Sequence, residues 1–96
     1  MLRNNEFHQF NIKVGRRIAE IRDEKGFSQA GLAEKMKVDV REVARWELGG
    51  AMTQFTIWRF SKALGCSPKD FYDEPKSLNV IWGRPREKKE GFDKLN

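Results

Sequence analysis

Arg41 and Arg45 stand four residues apart in the stretch 38–50, V-D-V-R-E-V-A-R-W-E-L-G-G. On a helix this spacing puts two guanidiniums on one face, a turn apart. Each guanidinium is a planar fork that matches the paired acceptors of guanine in the major groove, so the chemistry on offer is recognition of a polyanion by hydrogen bonds. A solvated face on which Arg45 pairs with Glu42, worth about 0.2–0.5 kcal/mol, stands beside that reading at this point.

Other reactive residue types are sparse. His8 is the sole histidine and Cys66 the sole cysteine, too little for a metal site, and no cofactor is expected. Adjacent Asp23 and Glu24 point about 100° apart on a helix and read as surface charge rather than an acid/base pair. With no nucleophile beside a base and no glycine-rich phosphate loop, an enzyme is not expected.

The arginines need a helix to carry them, and the stretch has both of its ends. Asp39 is a good N-cap, Glu42 completes a capping-box spacing, and Gly49-Gly50 closes the helix without a Cβ penalty. Val43 and Trp46 fall on one side as core, while Arg41, Ala44, Arg45 and Leu48 fall on the other. Ser28 caps a shorter helix over 29–36 with Leu32, Ala33 and Met36 inward and an exposed Gln29 in its first turn, where free amides suit a phosphate. Ala30 and Ala33 are small enough to admit a neighbouring helix. Only Lys37-Val38 separates the two helices, so together they make a helix-turn-helix, one helix crossing phosphates and the other entering the groove.

A first helix ends near Lys25 at Gly26, with Val14, Ile18 and Ile21 inward. The apolar spacing reaches back through Phe10 and Phe7, so a start near Asn5 and a start capped by Asn11 are both open. Arg16, Arg17, Glu20, Asp23 and Glu24 read mostly as its solvated face. A fourth helix is expected over 53–64, burying Ile57, Phe60 and Leu64 with Phe55 and Trp58 at its margins. Ser67-Pro68 opens a short fifth helix carrying Phe71 and Tyr72. Beyond Pro75, Leu78, Val80 and Trp82 alternate as in a strand that pairs with a second subunit or another protein; a loop laid over the bundle is the equal alternative. Residues 84–96 read as a disordered charged tail.

Ninety-six residues make one small domain, and 19 basic against 14 acidic residues give a net charge of +5. The isoelectric point of about 9.6 favours nucleic acid as partner, with an acidic protein surface second. A lone cysteine excludes an intrachain disulfide, and neither a signal peptide nor a membrane span is legible, so a cytoplasmic protein is expected.

Three blocks carry a specific resemblance: I-A-E-I-R-D-E-K-G-F-S-Q-A-G-L-A-E-K-M (18–36), V-x-x-x-V-A-R-W-E-L-G (38–49) and F-S-K-A-L-G-C-S-P-K-D-F (60–71). In this order they resemble the lambda repressor/Cro-like, or Xre-type, helix-turn-helix domains. The resemblance covers about 14–72 and implies an all-α, five-helix bundle whose third helix reads DNA, usually as a dimer. It implies that Val40, Arg41 and Arg45 face bases with Ala44 beside them, that Gln29 contacts a phosphate or supports a base contact, and that Arg22 and Glu47 form a partly buried ion pair. Ser28, Lys37, Thr53 and Gln54 complete the expected phosphate contacts. Two positions depart from the pattern. Lys37 stands where the family usually has glycine, and Gly31 where it commonly has an acid that completes a capping box with Ser28.

The organisation expected is an arm or helix extension over 1–11, a helix-turn-helix domain over 12–73 and an extension over 74–96. The function expected is a sequence-specific DNA-binding transcriptional regulator, a repressor, acting as a homodimer on double-stranded DNA. The alternative is an antitoxin or adaptor whose main partner is a protein held through 74–82.

Overall fold

The computed structural model describes residues 2–75. They form four α-helices, α1 (Leu2–Glu24), α2 (Gln29–Met36), α3 (Val40–Glu47) and α4 (Gln54–Leu64), followed by a 3-10 helix, Pro68–Tyr72. The fold is all-helical among these residues. The strand or loop read at 78–82 and the tail at 84–96 lie outside them.

Of the two starts open for α1, the helix takes the early one and extends it to Leu2, with Asn11 inside it and buried. Phe7 and Phe10 continue the apolar spacing, yet they are 60% and 50% exposed because the bundle does not reach that far along α1. Phe10 stacks instead on Tyr72, with ring centroids 6.0 Å apart. At the other end Gly26 takes a left-handed φ of 84°, and Phe27 donates its N–H back to the Arg22 carbonyl at 3.1 Å, which closes the helix.

The core draws on every element: Val14, Ile18 and Ile21 from α1, Leu32, Ala33 and Met36 from α2, Val43 and Trp46 from α3, Ile57, Phe60 and Leu64 from α4, and Phe71 from the 3-10 helix. Phe60 is its centre, meeting Trp46 edge-on at 5.6 Å and Phe71 at 6.3 Å. Ala30 is exposed, so no helix uses it as a close-approach point.

The fifth helix expected after Ser67 is a 3-10 helix of five residues rather than an α-helix. Ser67 and Asp70 form a reciprocal capping box around its start, which favours a tight turn. Arg17 holds it against α1, donating to the Asp70 carbonyl at 2.9 Å and to Glu20 at 3.0 Å. Arg17 and Glu20 are therefore buried, not part of a solvated face; Asp23 and Glu24 remain exposed. Sequence periodicity placed both correctly on the helix but carried no sign of the 3-10 segment that covers them.

Lys37 occupies the left-handed region, with φ 62° and ψ 45°, and is the only non-glycine residue to do so among the described residues. The strain of such a conformation is about 1 kcal/mol. Lys37→Gly removes it, less the added freedom of glycine in the unfolded chain, and should raise the melting temperature by a few degrees. A scanning calorimetry trace with an unchanged or lower midpoint would show that the lysine side chain offsets its own strain.

Candidate nucleic-acid interface

α3 is held by its ends and by one buried network beneath it. Asp39 caps the helix, its Oδ1 accepting the Arg41 N–H at 2.8 Å. Glu42 does not complete the capping box suggested by its spacing; its carboxylate turns to Arg45, whose Nη2 donates at 2.6 Å. The rear face, Val43 and Trp46, is buried.

Beneath the C-terminal end of α3, Arg22 from α1 and Glu47 from α3 form a two-point ion pair, Nε to Oε2 at 2.5 Å and Nη2 to Oε1 at 3.1 Å, with both side chains 0% exposed. Arg22 Nη1 also donates to the Phe27 carbonyl at 2.8 Å. Gln29 Nε2 donates to Glu47 Oε1 at 2.8 Å, so its amide is half-buried instead of exposed. α1, the start of α2 and α3 thus share one hydrogen-bonded junction, and rotation of α3 would break charge-assisted bonds in a low-dielectric interior.

The opposite face of α3 is open. Val40 and Leu48 are 40% and 54% exposed, and Ala44 lies half-buried between the two arginines. Arg41 pairs with Asp39 at 2.9 Å and Arg45 with Glu42, with arginine side chains 88% and 52% exposed. Exposed pairs of this kind are screened by solvent and contribute little, so either guanidinium can be transferred to a stronger partner at little cost. Hydrogen bonds from the Arg41 side chain, then from its backbone N–H, hold the Asp39 carboxyl at a pKa of about 2. Because this pKa is depressed, the stability contributed by the ionised cap is complete above the ordinary carboxylate range and is lost as pH falls through about 2. The cap is therefore anionic throughout the neutral range. Burial, followed by the charge of Asp70, pushes the Cys66 thiol up, leaving it an inert packing residue.

Ser28 and Thr53 both serve as N-caps: Ser28 Oγ accepts from Gly31 N at 2.9 Å and Thr53 Oγ1 from Thr56 N at 3.1 Å. The Ser28 hydroxyl proton remains for an outside acceptor, the Thr53 hydroxyl shares a 3.2 Å hydrogen bond with that of Thr56, and Gln54 is exposed beside Thr53. Gly31 carries no acid to bond back to Ser28, so α2 has a single cap bond where the resemblance implies a reciprocal pair.

A helix-turn-helix family model matches residues 18–71. The chain belongs to the helix-turn-helix family. A solved structure, the restriction-modification controller protein C.AhdI from Aeromonas hydrophila, is 31% identical, with 62% of this chain and 92% of that chain covered at a TM-score of 0.60. No curated protein matches with significance. Membership makes this helix-turn-helix protein a DNA-binding transcriptional regulator rather than an enzyme. Among the described residues no helix is long and apolar enough to cross a membrane, and no cluster of metal-ligating side chains is present.

Two glycines set the position of α3: Gly15, which sequence reasoning passed over, and Gly49, which it read only as the stop of the helix. A Cβ on Gly15 would lie 2.6 Å from the carbonyl oxygens of both Trp46 and Glu47, so α1 and α3 touch backbone to backbone there. Gly49 has φ 108° and faces Ile12 of α1, where a Cβ would come within 2.9 Å. Gly15 lies inside an otherwise good helical pattern, and an isolated glycine there is the one signal that could have flagged a close contact.

Proposed function

We propose that this protein is a sequence-specific repressor that reads the major groove of duplex DNA with α3. Arg41 and Arg45 act as base readers, Val40 and Ala44 provide apolar contact, and Ser28, Lys37, Thr53 and Gln54 hold phosphates. The observation carrying this reading is the open arginine face of α3 mounted on the fully buried Arg22–Glu47 pair. A rigid mount with exchangeable surface partners is what direct readout needs: the backbone stays still while guanidiniums leave Asp39 and Glu42 for guanine. Gln29, tied to Glu47, supports the mount and presents its remaining amide atoms toward the phosphates. One such helix reads only a few base pairs, so the functional unit is a homodimer on a near-palindromic site, half-sites about one helical turn apart.

Selection of bound duplexes from a random pool at two salt concentrations tests the proposal by returning a motif, its symmetry and its salt slope. On the selected site Arg45→Ala should weaken binding by about 1–3 kcal/mol and relax one base position per half-site. Uniform weakening on all sequences would make Arg45 a phosphate contact, and a pool with no motif would end the reading.

A further inference from the structure

Between α2 and α4 the surface opens into a groove of about 370 Å³. Met36, Ala63 and the half-exposed ring of Trp58 supply its apolar part. Around them stand Lys35, Lys37, Arg59 and Lys62, and among the described residues no acidic side chain lines the groove. None of these four cations is paired with a carboxylate among the described residues. Arg59 is fixed by donating to the Met36 carbonyl, and Lys62 Nζ lies 5.4 Å from the centre of the Trp58 ring.

An apolar hollow ringed by uncompensated positive charge selects a ligand with the reverse pattern. A second copy of this surface would set four cations against four cations. Duplex DNA brings phosphates but no apolar group to fill the hollow unless its bases are unstacked. A peptide in which Asp or Glu flanks one large apolar side chain meets both demands. We infer that the groove binds an acidic segment of a partner protein, which inserts a side chain against Trp58 and Met36 while its carboxylates meet Lys35, Lys37 and Lys62. Lys37 lies two residues before the cap of α3, so a partner held here sits next to whatever α3 reads. The inference does not depend on the DNA reading, because the groove is formed by α2, its C-cap Lys37 and α4, and no residue of α3 lines it.

The test uses the full chain without DNA and a fluorescein-labelled peptide with glutamates flanking a central Phe-Leu pair. The comparison probes are the same peptide with an Ala-Ala centre and a short oligothymidylate. Saturable binding of the Phe-Leu peptide is expected, weakened at least about tenfold by Trp58→Ala and by Lys62→Glu, both exposed positions, with melting temperatures unchanged. The Ala-Ala peptide should bind at least about tenfold more weakly. Four results overturn the inference: no saturable binding by the intact chain, equal binding of the two peptides, equal binding by the variants, or tighter Trp58-dependent binding of oligothymidylate, which marks a single-strand site. Sedimentation in which Trp58→Ala converts a dimer to a monomer overturns it in favour of a second copy.

Discussion

Glu47→Gln should lower the unfolding free energy by about 3–5 kcal/mol, read as a shift in the urea midpoint at constant slope. Glutamine keeps the shape of the side chain, so the loss isolates charge: Arg22, 0% exposed, is left with no counter-ion. A domain of this size has about 5–15 kcal/mol in total, and the variant should be partly unfolded at physiological temperature. Replacing both partners with apolar residues of similar size, Arg22→Met with Glu47→Leu, should restore much of the loss, because the uncompensated charge is gone. If Glu47→Gln unfolds at the wild-type midpoint, the junction beneath α3 does not hold the helix. The double variant also separates stability from position. It should fold yet bind its DNA site more weakly, since Gln29 loses its acceptor and α3 loses its fixed orientation.

Gly15→Ala is expected to cost up to about 3 kcal/mol, at the upper end for overpacking, even though alanine is the better helix former by about 1 kcal/mol. The added carbon would meet two backbone carbonyl oxygens at 2.6 Å, and neither can swing aside as a side-chain end can. α3 must therefore move away from α1. That movement strains the Arg22–Glu47 bonds, so the variant should lose DNA affinity beyond what its unfolded fraction explains. Measuring affinity at a temperature where the variant is fully folded checks this, and a wild-type value there would show that the two helices separate without consequence. Alanine at the exposed Gly26 makes the contrast: no atom lies within 4 Å, so any cost there comes only from its φ of 84°.

The two variants mark where reading the chain succeeds and where it stops. The four α-helices and the caps Ser28 and Asp39 follow from local rules, because capping chemistry involves residues a few positions apart, whereas the left-handed Lys37 is signalled only by the glycine that the resemblance implies there. Arg17 and Glu20 were misread because the atoms that bury them belong to a segment some fifty positions later. The short fifth helix starts where Ser67-Pro68 signals it, but that signal does not say whether the turns that follow are α or 3-10. Phe7 and Phe10 show the same limit, since periodicity tells which residues share a stripe and not how far along it the partner helices extend.

The sequence by itself determined that two arginines share one face of a capped helix, that a short turn joins this helix to another, and that the excess of basic residues suits a polyanion. Those conclusions depend only on helix geometry and charge, which are properties of the chain. Only the tertiary structure decided that Gly15 lets α1 and α3 touch, that Gln29 joins the buried pair, and that Lys35 and Lys37 share a groove with Trp58 and Lys62. Each of these is a meeting of residues distant in sequence, and the distance between them is set by how all the helices pack at once.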